Sequence, residues 1–470
     1  MFFSSAFSRA GFLVLSLVTA ANARAESAAA ELDFNFFKNE VQPIFLVKRP
    51  GNIACATCHA GAASSNFRLQ PLKSGARFWD EQQSQANFIA TKQFVALAAN
   101  VLNSRLLTHP LAASAGGDPF HGGGKHFTSQ QDSEWRILKM WAMGAKDRPP
   151  VTKTAVRIVQ TNAGGDNIHI IDPTRNRVVG VIDDIQIPHG VTAAPDGRYL
   201  YITNEALHTL DAVDARTLKV WRRIPLSGRP NNVAIGKDGK YVYVGIMEMP
   251  GSIDVIDTEI FALAMTIKVT GAIHNVYVTP DGKHVVGGSI QTRTINVIDV
   301  ATHRLAWELQ LDAGIRPMAF DTHANGATKN IYVQLSNFHG FAVVDFATRK
   351  EIARIEHPPV KDIHPHYDGL QSAPAHGLAV SPDGKRLWST SKVYGYAYVH
   401  SLPDLKEVGR VFVGQHPEWI TFTPDGKFTY IGAAGDNQTF AIDVTALKEV
   451  ARIPVGQVPK RNAMAILAIE

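Results

Sequence analysis

The chain has 470 residues, a formal net charge of +5, abundant glycine and only 19% charged residues. That length admits two or more domains. The small basic excess forms no Lys/Arg cluster or stripe, which excludes a nucleic-acid footprint, and beyond the N-terminus no run of about 20 apolar residues provides a membrane span.

The first 25 residues read as an export signal: Arg9 in a short basic region, an apolar run from Gly11 to Ala20, and an Ala23-Arg24-Ala25 cleavage site. Cleavage before Glu26 leaves about 445 residues with a charge of +3, since residues 1–25 hold two arginines, no lysine and no acid. The expected location is periplasmic or secreted. The remaining positive excess favours docking to an acidic redox partner.

Residues 32–147 read as a small helical domain. An amphipathic stretch runs from Asp33 through Val41, Ile44 and Phe45, with Pro43 ending or kinking it. Cys55-Ala56-Thr57-Cys58-His59 follows, and these are the only two cysteines in the chain. C-x-x-C-H is the signature of covalent haem attachment, with both thiols bonded to the macrocycle and the histidine as proximal ligand. A zinc site would need a second pair of ligands at matching spacing, and a redox disulfide would need a βαβ context. Neither is present in the sequence. Covalent haem is attached on the exported side of a bacterial membrane, so the leader and the motif agree. Helical periodicity returns over residues 86–107 and again over residues 131–143, where Asp132 or Ser133 is the expected N-cap.

The segments "VQPIF", "CATCH", "SRLLTHPL", "GGDPFHGGGKHF" and "LKMWAMGA", spread over residues 36–146, resemble a small c-type cytochrome domain of the planctomycete type. Candidate distal ligands are His109, His121, His126, Met140 and Met143. His121 is preferred: it stands in a glycine-rich turn whose backbone can approach a haem, and the resemblance places a histidine there. The expected iron ligands are therefore His59 and His121, with one covalent haem c on Cys55 and Cys58. The methionines are otherwise expected to pack around Trp141, and His126 to be an exposed loop residue.

Lys146-Asp147-Arg148-Pro149-Pro150 breaks the helical pattern and marks a boundary. From residue 154 to residue 470 the period becomes two, in short strands. Turns at Asp196, Asp238, Asp281, Asp383 and Asp425 are spaced by 42, 43, 102 and 42 residues. The long interval conceals a degenerate unit opening near Arg316. Four strands per 40-odd residues mark a β-propeller. Six complete units start near His189, Asn231, His274, Met318, His376 and Pro417. Residues 156–183 supply three further strands and the C-terminus a fourth, completing a seventh blade; eight blades is the alternative count. These repeats resemble the YVTN-type propeller family. The expected architecture is thus multidomain: an all-α cytochrome c domain followed by an all-β seven-bladed propeller.

Aligned at the inner-strand starts stand His189, Asn231, His274, Met318, His376, Glu418 and Lys460. Three histidines at one register, His189, His274 and His376, are the candidate catalytic set, either as ligands of an additional metal ion or acting on a substrate. Arg229 and Arg316 could hold an anion. An insertion carrying His357, His364, His366, Tyr367 and Asp368 is expected to cap the ring or to receive the haem domain. The expected function is electron transfer through one haem, with a small-molecule substrate or metal site in the propeller and a redox partner protein. The rival is a relay cytochrome whose propeller is a docking scaffold. The nearest architectural analogy is the cytochrome cd1 nitrite reductases, whose haem-bearing propellers have eight blades rather than seven.

Overall fold

The computed structural model describes residues 31–49, 51–60, 66–96, 98–147, 151–366 and 372–469. The expected leader (1–25), Pro149-Pro150, Tyr367 and Asp368 lie outside them. No helix among the described residues is long and apolar enough to cross a membrane.

The N-terminal part is built from short helices. Residues 34–46 form one unbroken helical run of changing pitch: α over Phe34–Phe36, a wide π turn over Phe37–Val41 and a tight 3-10 turn over Gln42–Leu46. Asp33 caps it, accepting from the Phe36 N–H at 2.7 Å. Pro43 falls in the first two residues of the 3-10 turn, where its missing N–H costs little. The π turn buries Phe37, Glu40 and Val41 together.

The helix read over residues 86–107 is divided. Glu81–Lys92 is α-helical behind an Asp80/Gln83 capping box, Ala98–Asn103 is a 3-10 turn, and Arg105–Thr108 is one short helix. Ser104 Oγ accepts from the Ala96 N–H at 2.9 Å, a local bond that competes with continuous helix. The last helix, Ser133–Ala142, begins at Asp132 as expected, with the carboxylate accepting from the N–H groups of Glu134 and Trp135. Phe37, Phe45, Leu107, Trp135 and Trp141 form the buried core of this part.

Strands begin at Thr154 and make seven four-stranded antiparallel sheets. Pro188–Pro225 is blade 1, and blades 2 to 6 start at Pro230, Ile273, Ile315, Ala375 and Pro417. Blade 7 joins Pro459–Ala468 to Thr154–Asn162 and its two successors. The first and last strands of the ring therefore pair with each other and leave no open ring edge. The Pro-Asp-Gly or Lys-Asp-Gly hairpins share one chemistry. Glycines 197, 239, 282, 384 and 426 take φ of +67° to +73°, a conformation open to glycine at little cost. At Asp196, Asp238, Asp281, Asp383 and Asp425 the carboxylate accepts from the N–H two residues on.

Every inner strand slips register near its start, at Pro188/Val191, Pro230/Val233, Ile273/Asn275, Ile315/Met318, Ala375/Leu378, Pro417/Ile420 and, in blade 7, opposite Gln160/Asn162. A bulge here breaks strict alternation and re-aims consecutive side chains.

The helical part rests on blades 1 and 2. Glu40 accepts from the Trp221 indole N–H at 2.9 Å and from the Tyr199 hydroxyl at 3.2 Å. Arg222, 1% exposed, donates to the Glu40 carbonyl and approaches Glu134 at 3.5 Å. Arg77 pairs with Asp257. The described contacts of the insertion are with the propeller and not with the helices. Its described residues fold onto the propeller itself, with Pro358 accepting from the Tyr398 hydroxyl, the His366 N–H donating to the Val393 carbonyl, and the His366 ring 5.8 Å from that of His416.

Candidate functional site

Two sets of chemistry-bearing residues stand apart in the molecule. The first lines a cavity of about 550 Å³ in the helical part. Its walls are mostly apolar, including Phe45, Phe67, Phe94, Leu106, Phe127 and Leu138, while Cys55, Cys58, His59, His109 and His121 face into it. Size and lining suit a largely enclosed organic group with a few fixed polar contacts.

The Cys55–His59 helix places both thiols and the imidazole on a single turn and a half. Cys55 and Cys58 are free thiols. Burial pushes the Cys55 thiol up to about 11, so it is protonated at neutral pH.

The two imidazoles are held alike. His59 Nδ1 lies 2.9 Å from the Phe67 carbonyl, and His121 Nδ1 lies 2.5 Å from the Gly124 carbonyl. A carbonyl only accepts, so each Nδ1 carries the proton and each Nε2 keeps its lone pair. The Gly124 carbonyl is brought into reach by a turn in which Gly124 has φ +84°; a Cβ there would meet Asn52 Oδ1 at 2.5 Å. Burial lowers both histidines below the usual imidazole range, keeping them neutral.

The rings of His59 and His121 are 6.3 Å apart, centre to centre, and only 13° from parallel. That is too far for stacking. A separation of 6.3 Å between ring centres leaves room for one ion held by a nitrogen of each ring at about 2.0–2.1 Å. A carbonyl-anchored imidazole facing another across an apolar cavity is the arrangement of metal-ligating histidines.

His109, also lining the cavity, is paired through Nδ1 with Asp118 at 2.6 Å. Met140 and Met143 are 40% and 57% exposed and do not line the cavity, so they neither reach it nor pack around Trp141 as expected. His126 is buried rather than exposed, with burial lowering its pKa to about 4.

The second set lies at the inner-strand starts of the propeller. His189 and His274 approach to 6.4 Å between ring centres. His376 takes a different partner: its Nδ1 is 2.8 Å from Glu418 Oε2, while Lys392 Nζ is 2.9 Å from Glu418 Oε1. Among the described residues no three His, Cys, Asp or Glu side chains come together to hold a metal ion. The triad His189, His274 and His376 is thus not gathered around one ion. Glu418, held by Lys392, engages His376, and the Trp419 indole sits against both His376 (4.5 Å) and His189 (6.1 Å). Burial keeps His189 and His274 well below the ordinary range and His376 at about 4. For Glu418, burial would raise the pKa, but His376 and Lys392 outweigh it and hold the carboxyl well below the usual carboxylate range.

Trp419, Arg461, Asn275 and Lys392 belong to this set without having been singled out in the sequence. The first three directly follow an aligned position (Glu418, Lys460, His274), and strict alternation would turn them away from it. Arg461 stacks on Trp419 at 3.8 Å and donates to Asn275 Oδ1 at 2.8 Å. The register slip common to the inner strands is the signal that brings both residues of each pair into play.

Residues 155–286 match the Cytochrome D1 heme domain family, a span that runs from blade 7 into blade 3. No curated protein matches the chain. Among solved structures, hydrazine synthase of Kuenenia stuttgartiensis is 23% identical with a TM-score of 0.54, covering 62% of this chain and 92% of its own. The periplasmic gluconolactonase PpgL of Pseudomonas aeruginosa is 18% identical with a TM-score of 0.54, covering 66% and 99%. The dihydro-heme d1 dehydrogenase NirN in complex with DHE is 15% identical with a TM-score of 0.50, covering 76% and 90%. At these identities the likeness is one of fold, and the fold they share with residues 154–468 is the β-propeller.

Proposed function

We propose that this chain is an exported haem oxidoreductase, with one covalent c-type haem in the helical part and a small-molecule site at the propeller axis. The observation that carries the reading is the His59–His121 pair: rings 6.3 Å apart and nearly parallel, each anchored by Nδ1 to a carbonyl, in the cavity that Cys55 and Cys58 face. Cys55 and Cys58 would bond the macrocycle, and His59 and His121 would ligate its iron. When bound, such a haem supplies a reversible one-electron couple. The protein's own contribution is to hold both imidazoles neutral and fixed in tautomer, to keep water off an apolar pocket, and to seat the haem-bearing part on blades 1 and 2 through Glu40, Trp221 and Arg222. Residues 32–147 would then form the haem domain, and the export leader at 1–25 fits a haem attached outside the cytoplasm.

Protein purified from an export-competent host should retain haem staining on a denaturing gel, and replacing Cys55 and Cys58 together by Ala should abolish it. His121→Ala should keep the stain but convert a six-coordinate low-spin absorption spectrum to a high-spin one. A stain that survives loss of both thiols, or a spectrum indifferent to His121, sinks the reading.

A second reading, in which the propeller itself carries a tetrapyrrole, is favoured by the family match over residues 155–286, which include His189 and His274. Haem stoichiometry separates the two: one covalent haem per chain, or one covalent group plus a pigment extractable with acidified acetone.

A further inference from the structure

Arg461 is a buried charge with little direct compensation among the described residues. It is 3% exposed, on the inner strand of blade 7. Its guanidinium stacks on the Trp419 ring at 3.8 Å and gives one NH₂ group to the neutral amide of Asn275, while Nε has no hydrogen-bond partner. Among the described residues no carboxylate forms an ion pair with it. Glu418, the buried acid nearby, accepts from Lys392 Nζ at Oε1 (2.9 Å) and has His376 Nδ1 2.8 Å from Oε2, and Glu205 receives Asn231 at 3.3 Å. A buried cation with no anion is strongly unfavourable, and a cation–π contact plus one amide bond falls short of what a carboxylate would return.

Besides Glu418 and Glu205, the neighbourhood holds further cations. Lys460 precedes Arg461 on the strand, and Arg316 is buried two residues before the aligned Met318. His189 is 4% exposed with Nδ1 unpartnered, its ring 6.1 Å from Trp419. The half-exposed Lys460, Arg229 and Glu205 mark the solvent side of the group. A planar fork of N–H donors, backed by an indole face and flanked by neutral imidazoles, reads a planar oxyanion and is poorly suited to a neutral or cationic ligand.

We propose that Arg461 anchors a carboxylate-bearing ligand at the propeller axis, with Trp419 supporting the guanidinium and His189 and Lys460 beside the bound anion. This names the ligand class of the axial site in the reading above. The carboxylate has two sources, a small soluble organic acid or a tetrapyrrole side chain. If the organic acid proves to be an electron donor or acceptor, that role rests on the haem reading, whereas binding does not.

The test uses the full haem-loaded chain, dialysed into a carboxylate-free buffer and titrated with acetate, lactate and succinate, against chloride at equal ionic strength. At least one acid should give saturable heat and raise the unfolding midpoint, and chloride should do neither. Arg461→Met should abolish that response while unfolding, in the absence of acid, at or above the wild-type midpoint, because an uncompensated charge has been removed. Arg461→Lys keeps the charge without the fork and should weaken binding by about tenfold or more; it also serves if the Met variant does not fold. An acetone-extractable pigment present in wild type and lost in Arg461→Met would assign the carboxylate to a tetrapyrrole. A purely structural arginine predicts the opposite sign, a lower midpoint for Arg461→Met. That result, or a wild type that responds to none of the three acids and yields no pigment, overturns the proposal. The haem stain is unaffected by either outcome, so the two readings fail separately.

Discussion

Glu418 carries a buried negative charge that two neighbours share, His376 at one oxygen and Lys392 at the other. Removing the acid strands the Lys392 ammonium, itself 9% exposed, in the same low-polarity surroundings. Glu418→Ala should therefore cost about 3–5 kcal/mol, read as a fall in the unfolding midpoint, whereas a double replacement of Glu418 and Lys392 by apolar residues should recover much of the loss. Away from the axis, His339, His357 and His400 form a second buried group. His357 Nε2 is 2.7 Å from Ser389 Oγ, His339 Nε2 is 2.7 Å from Ser391 Oγ, and the His400 ring is 5.3 Å from that of His357. Burial lowers His339 and His400 to about 4 and His357 well below its ordinary value. These imidazoles are neutral in the fold, whereas in the unfolded chain they take up protons near pH 6.5. Acid therefore favours unfolding. Their contribution to stability is full above about pH 6.5 and is lost progressively as pH falls from there toward 4. Melting curves between pH 7.5 and 4.5 should show that decline, and His400→Phe, placed against Phe341, should flatten it.

At the scale of the element, the inner-strand bulge decides what the sequence could and could not tell. The Asp-Gly turns and the period of 42 to 43 residues expose the blades directly, because each hairpin needs the same glycine conformation and the same aspartate bond. His189, His274 and His376 are visible as one register for the same reason. Their partners are not. Trp419, Asn275 and Arg461 lie one residue beyond the register, and only the slip in pairing brings them into the same set. Among the described residues no metal-holding group of three gathers at this register: register fixes where a side chain starts, and Glu418 engages His376. In the helical part, C-x-x-C-H is self-announcing, whereas the π turn that buries Glu40 for the propeller leaves no mark in helical periodicity. The closing strand Pro459–Ala468 supplies the edge partner of Thr154–Asn162. Truncation after Gly456 should leave that edge bare, lowering the unfolding midpoint sharply and producing soluble aggregates visible by light scattering.

Across the whole molecule, the helical part and the blades are joined by buried polar contacts. Arg222 is the centre of this seam, bridging Glu40 and Glu134 and lying over Phe261 at 4.9 Å. Arg222→Ala should remove about 3–5 kcal/mol from that seam without touching either core. The expected outcome is faster limited proteolysis between residues 146 and 154, releasing a β-rich fragment, with haem staining retained on the other piece. Cleavage scattered through the blades instead would place the damage inside the propeller. None of Arg222, Glu134 or Glu40 was legible as an interface residue, since each is separated from its partners by about 90 to 180 positions.

Blade 7 also imposes an order of events. Its first strand opens the propeller at Thr154 and its innermost strand is the last of the chain. A ring so fastened cannot shut until residues 459–468 have been made, whereas residues 34–142 already enclose a core of their own. Synthesis from the N-terminus therefore gives the helical part a head start, a window in which its thiols can be reached before the twenty sequential hairpins of the described blades and the final stitch consolidate beside it.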